Sequence, residues 1–298
     1  MKKFFLAVAI AIGFVVGCNE VNVEPEQTNP EPAKIPIRLS SDIISRATDS
    51  NYENGDQVGV YVVNRANGAQ VQLANSNNHL DNTRFTYDGR QWNPDQEVYW
   101  KDQQTAADFY CYYPYRSSIP NVSALEFSVQ ENQNSTEGYK ASDLLYGKTL
   151  DAKPSMNPVN ITTKHALSNV IVYVTPGKGY TAETLAAEEI SVLITGVKTT
   201  ANLNIATGEV IATGEPKDII PIRENGYWRA IVVPQTLIDA QIIKVVVGPN
   251  LYNLNQTVTF ESGKQHTCTL KVNKIGEGVN ITIGGWESNG NDFGGTLE

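Results

Sequence analysis

Histidine and cysteine are scarce in this chain, three of each among 298 residues, and the shortage removes whole classes of chemistry. His79, His165 and His266 stand alone. None has a second histidine, a cysteine or an acid at metal-ligand spacing, so no zinc site is expected. His165 precedes a strand-like run and reads as a hydrogen-bonded structural group, not a base. The sequence also lacks a Gly-x-Ser-x-Gly nucleophile elbow, a phosphate-cradling glycine loop and an Asp-x-Asp-x-Asp-Gly calcium loop. Residues 288–295 have calcium-loop residue types without the spacing and read as a flexible tail. Basic residues are in deficit, 23 Lys+Arg against 32 Asp+Glu for a net charge of −9, and they form no cluster. That balance argues against nucleic acid and against electrostatic docking on anionic lipid. Only a carboxylate pair meeting across a sheet, as in a glycosidase, stays open as a catalytic arrangement. The expectation is a protein without metal, cofactor or enzymatic activity.

Long apolar runs are lacking as well, with one exception at the start. Lys2 and Lys3 precede an apolar run, residues 4–16, which ends in Val15-Val16-Gly17-Cys18. A basic start, a short apolar segment and small residues before a cleavage point make a secretory signal peptide over residues 1–17. The run is too short for a spanning helix, which needs about 20 apolar residues. A cysteine directly after the small residue resembles the bacterial lipobox, in which the thiol is diacylated and the chain is cut before it. Lipid on Cys18 would anchor an otherwise soluble chain to a membrane, and no other segment offers a membrane contact. The plainer alternative is an ordinary signal peptide with an incidental cysteine. Loss of Lys2 and Lys3 with the leader leaves 21 basic against 32 acidic residues, or −11.

What is abundant is β-strand chemistry. After a Pro-, Glu- and Asn-rich tether at residues 18–34, runs rich in Val, Ile, Thr and Tyr recur about every ten residues, separated by Gly, Asn and Pro turns. Ile35, Ile37 and Leu39 alternate; later runs fall at 57–63, 108–115, 168–175, 190–197, 228–233, 242–247, 256–260, 265–272 and 279–283. The best helical window, residues 181–189, is short. Strands at that spacing without long helices between them predict an all-β protein of antiparallel sandwiches. Pro154 and Pro158 interrupt the strand pattern, which places a boundary between an N-terminal β-sandwich domain, 35–155, and a C-terminal one, 156–298. Cys111 shares strand parity with Phe109 and Tyr113, and Cys268 with Leu270 and Val272. Both read as small buried hydrophobes and not as a disulfide pair. The aromatics Tyr110, Tyr112, Tyr113 and Tyr115 with Trp92, Tyr99 and Trp100 read as sheet packing in preference to a sugar platform.

Several stretches together resemble the fimbrillin family, the exported pilin-like proteins of Bacteroidia. They are Ser45-Arg46-Ala47-Thr48 followed by Asn54-Gly55-Asp56-Gln57-Val58-Gly59-Val60-Tyr61, then Phe109-Tyr110-Cys111-Tyr112-Tyr113-Pro114-Tyr115, then His165-Ala166-Leu167-Ser168-Asn169-Val170. Ile231-Val232-Val233-Pro234-Gln235, Gly263-Lys264-Gln265-His266 and Ile281-Thr282-Ile283-Gly284-Gly285-Trp286 complete the pattern. The resemblance implies two transthyretin-like β-sandwich domains in tandem. It also implies a structural and adhesive subunit of a surface fimbria, carried to the outer membrane through lipid on Cys18. In that family a surface protease often cuts after arginine, and the matching bond here is Arg46–Ala47. The cut would free residues 35–46 as a removable first strand, with Ile35, Ile37 and Leu39 facing one side. The open groove would take a strand from another subunit, the donor-strand form of strand addition. The candidate donor lies at the C-terminus, in Val279, Ile281 and Ile283 or in Phe293 and Leu297. The glycines there weaken the donor, and 279–283 also suits a strand closing its own domain. The expected partners are other fimbrial subunits, the outer membrane before maturation, and a host or bacterial surface ligand. The alternative is an uncut, lipid-anchored surface protein, either a fimbrial anchor or a glycan-binding module.

Overall fold

The computed structural model describes residues 33–43, 51–274 and 282–292. The first elements are β1 (Leu39–Ile43), β2 (Gln57–Asn64), β3 (Leu80–Tyr87), β4 (Trp92–Pro94), β5 (Ala107–Tyr113), β6 (Leu125–Ser128), α1 (Thr136–Lys140), β7 (Leu145–Ala152) and β8 (Val159–His165). They are followed by β9 (Ser168–Pro176), α2 (Ala182–Ala186), β10 (Ile190–Leu203), β11 (Val210–Ile219), β12 (Ile222–Arg223) and β13 (Trp228–Val232). The last are β14 (Gln235–Val247), β15 (Asn250–Phe260), β16 (Lys264–Val272) and β17 (Thr282–Asp292). The protein is all-β, as its strand-forming runs predict. The short α2 lies inside the expected helical window, capped where Thr181 Oγ1 accepts from Thr184 N and Thr184 Oγ1 from Thr181 N.

Three sheets form. A seven-stranded sheet runs β1-β8-β7-β5-β2-β3-β4. One five-stranded sheet runs β11-β10-β14-β15 with β6 added beside β10, and the other runs β12-β13-β9-β16-β17. Two pairings, β1 with β8 and β9 with β16, are parallel in otherwise antiparallel sheets. Both join strands distant in sequence, where no tight hairpin imposes antiparallel order. The inner faces of the two five-stranded sheets meet in one apolar cluster, through Val192, Ile194 and Val245 on one side and Val170, Val172 and Leu270 on the other.

The central strands of the seven-stranded sheet are buried on both faces, which explains their unbroken apolar runs. On β2 and β5, Tyr61, Val63, Tyr110 and Tyr112 join the large cluster. Val58, Val60, Val62, Phe109 and Cys111 face a second one on the opposite side. Gly59 has a specific task. It pairs across from Tyr112, and a Cβ there would lie 2.2 Å from the tyrosine Cε1, so only glycine lets the ring lie over the strand.

Pro154 and Pro158 lie in the connection between β7 and β8, and both strands belong to the seven-stranded sheet. The chain leaves that sheet after His165, later than residue 155. β6, from the first half, pairs with β10. Nearby, Gln133 acts like an extra strand residue: its Oε1 accepts from Ile231 N at 2.8 Å and its Nε2 donates to Ile231 O at 2.8 Å. The expected flexible tail is corrected in part. Residues 288–292 continue β17 along β16, with register shifts that accommodate the irregular run. An edge strand is held by backbone bonds to one neighbour, so glycines weaken it without forbidding it.

Candidate functional site

The segment anticipated as a removable strand closes one side of the seven-stranded sheet, and it does so in two halves. In the first, Ile37 N donates to Val98 O at 2.8 Å and Ile35 O accepts from Trp100 N at 2.9 Å, with Pro36 bridging Tyr99. In the second, Arg38 O accepts from Val159 N at 2.8 Å, and β1 then runs parallel to β8 from Leu39 opposite Val159 to Ile43 opposite Thr163. Ser40 Oγ donates to Asn160 Oδ1 at 3.3 Å on the outer side. Nine residues thus join the loop after β4 at one edge of the sheet to β8 at the other.

Alternation decides which side chains go inward. Ile37 and Leu39 are 3% and 6% exposed, while Arg38 between them is exposed. Both enter the cluster formed by Val60, Phe85, Trp92, Trp100, Phe109 and Ile161, and Ile35 packs at its border. Burying three such side chains contributes roughly 5–8 kcal/mol of gross hydrophobic stabilisation. The rim is aromatic: Tyr52 meets Trp92 edge-on at 4.8 Å, and its hydroxyl shares a 2.8 Å hydrogen bond with Thr163 Oγ1. Trp100 meets Phe109 at 5.4 Å.

Most of the site's partners were hidden in the sequence. Val98, Tyr99 and Trp100 sit in a loop with no strand period. The β8 run Val159-Asn160-Ile161-Thr162-Thr163 does alternate buried and exposed residues, a signal masked by the adjacent Pro158. Cys18, Arg46, Ala47, Val279, Ile281, Phe293 and Leu297 lie outside the described residues. Ile283 lies on β17 opposite Leu270.

The groups that carry chemistry are committed elsewhere. His165 Nδ1 lies 2.8 Å from Asp143 Oδ1, and His79 Nε2 lies 2.7 Å from Tyr99 O. His266 Nε2 accepts from Glu261 N at 3.0 Å, and burial holds its pKa below the ordinary histidine value. Cys111 and Cys268 are free and buried, and desolvation pushes both thiols up to about 12. Among the described residues no three His, Cys, Asp or Glu side chains gather as a metal site. Tyr110, Tyr112, Trp92 and Trp100 are core residues, which leaves them no exposed ring face for a sugar. Among the described residues, open grooves of about 620 Å³ beside β6, with Arg116 and Glu126 in the lining, and of about 430 Å³ at the end of β2, with His79 and Lys101, are also present.

The sequence model of a family described as fimbrillin-like matches residues 45–286. Fim1C of Bacteroides uniformis, a candidate fimbrium subunit, is 25% identical over 305 aligned residues, covering 96% of this chain and 95% of its own. The fold is shared with crystal structures of candidate cell adhesion proteins. One from Bacteroides uniformis has a TM-score of 0.64 at 19% identity, covering 87% of this chain and 99% of that one. Another, from Bacteroides ovatus, has a TM-score of 0.67 at 16% identity, covering 90% of this chain and all of that one (100%).

Proposed function

The chain belongs to the fimbrillin-like family, and from that premise we propose that it is a structural and adhesive subunit of a bacterial surface fimbria, working without catalysis. It is exported as a lipoprotein acylated at Cys18 and displayed at the outer membrane. Cleavage between Arg46 and Ala47 then releases residues 35–46, and a strand from another subunit fills the vacated groove. The observation that supports this reading most is the burial of Ile37 and Leu39 by a segment attached only at the sheet's margins. Removing that segment exposes an apolar trough together with the unpaired backbone of β8, and a donor strand satisfies both. The edge position of β17, which among the described residues pairs only with β16, supports a donor drawn from the C-terminal end, around Val279, Ile281 and Ile283 or the following Phe293 and Leu297.

The N-terminal mass of protein sheared from cells tests the proposal. A chain beginning at Ala47, with polymer lost in Arg46→Ala, is the expected result. A chain beginning at acylated Cys18 in assembled material, or normal polymer from Arg46→Ala, would overturn it.

A further inference from the structure

Sheet edges are templates for pairing, and soluble proteins blunt them with charge, proline or bulges. The described strands that end a sheet or lie outside the main strand order follow this rule, with one exception. β1 carries Asp42, β4 Pro94, β6 Glu126 and β12 Arg223. β11 carries Glu215, Pro216, Lys217 and Asp218, and β17 carries Glu287 and Asp292. β15 has none of these devices. Its 11 residues, Asn-Leu-Tyr-Asn-Leu-Asn-Gln-Thr-Val-Thr-Phe, contain no charge and no proline. Both register shifts in its pairing with β14 place the extra residue on β14, so β15 itself runs without a bulge. Among the described residues its other edge pairs with nothing. The same hairpin also displays Leu251 at 49% exposure and Ile238 at 73%.

We propose that the free edge of β15 pairs antiparallel with β15 of a second copy of this chain, about a two-fold axis perpendicular to the sheet. Self-pairing is what an uncharged strand permits, because every like-charge clash that a two-fold would create is absent. The midpoint of the strand is Asn255. Centring the axis there puts Asn255 opposite its own copy, Asn253 opposite Thr257 of the partner strand, and Leu251 opposite Thr259. All five side chains are exposed and point outward on the same face. The full strand length overlaps in this register, and the two five-stranded sheets become one. Such a contact involves a different sheet from the one that residues 35–43 close, so it would join copies through a second surface and does not depend on strand exchange. With −9 on each chain and none on the joining strands, added salt should strengthen the pairing by screening overall repulsion.

Sedimentation equilibrium of the purified full chain in mild detergent tests this. The wild type should dimerise with concentration, and Asn255→Lys or Asn255→Glu alone should weaken the dimer at least tenfold by placing like charges across the axis. Mixing the two variants in equal amounts should restore a dimer. A wild type that stays monomeric, a dimer unaffected by either substitution, or a mixture that fails to recover would overturn the proposal. Thermal denaturation of each variant should match the wild type, because Asn255 is exposed. A fimbrial subunit that polymerises by strand exchange but stays monomeric through β15 would refute this contact alone.

Discussion

Replacing Ile37 by alanine removes three carbons from a side chain that is 3% exposed and packed in the cluster with Trp100 and Phe109. At about 0.8 kcal/mol per buried carbon the transfer loss is about 2.4 kcal/mol. The aromatic neighbours are held edge-on by each other, so the site collapses poorly, and the cavity raises the total to roughly 3–4 kcal/mol. A domain of this size loses about 2–4 °C of Tm per kcal/mol, so a fall of roughly 6–16 °C is expected. Equilibrium urea denaturation of the uncut chain measures the free energy directly. Arg38→Ala, one residue along and exposed, is the control and should change stability by no more than about 0.5 kcal/mol. If Ile37→Ala costs no more than Arg38→Ala, the segment does not seal the cluster, and its removal would open no apolar groove. In a chain cut after Arg46, the same loss should speed release of the freed segment by at least about a hundredfold, since each 1.4 kcal/mol is tenfold.

Gly59→Ala should destabilise by about 1–3 kcal/mol, because its Cβ would meet the Tyr112 ring; a thermal melt equal to wild type would refute that packing. His266 contributes a pH dependence. Burial lowers its native pKa, so below about 6.5 the unfolded chain takes up a proton that the native imidazole refuses. Its contribution is therefore whole above about pH 6.5 and is lost as pH falls through the lowered native value. Urea midpoints at pH 7.5 and 5.5 should differ more for wild type than for His266→Gln. Arg65 Nε contacts the fully buried Asp108 at 2.8 Å, whereas Arg84 pairs with the exposed Asp95. Arg65→Met should therefore lower Tm more than Arg84→Met, and equal losses would argue against an uncompensated buried carboxylate.

The strand content, the buried thiols and the inward alternation of Ile37 and Leu39 were legible because each rests on local period and residue type. What stayed hidden was non-local. Nothing in the sequence 98–100 announces that it pairs with residues 35–37, and nothing in β8 announces a parallel partner 120 residues away, Ser40 beside Asn160. The prolines at 154 and 158 break the strand pattern in the same way at a hairpin loop as at a domain boundary, so pattern alone placed the division before the sheet ended. The glycine-rich C-terminus reads as a tail because its propensity is poor, yet pairing to β16 outweighs propensity through residue 292.

The two-halved attachment bears on how the proposed strand exchange would be driven. In the uncut chain the sealing segment and β2 belong to one polypeptide, so the contacts between the segment and the groove are intramolecular and act at a high effective concentration. On the proposed route, a cut after Arg46 would end that tethering and let the released segment dilute away, while a strand held on a neighbouring subunit would keep a high effective concentration. The proposed exchange would then need no energy source beyond the difference in tethering plus any better fit of the donor. It follows that a synthetic peptide of residues 33–46 added in excess should hold the cut protein monomeric, and that Ile37→Asp in the peptide should abolish the block. Light scattering of cut protein with each peptide reads this out, and equal inhibition by both would show that the inward apolar residues do not hold the groove closed.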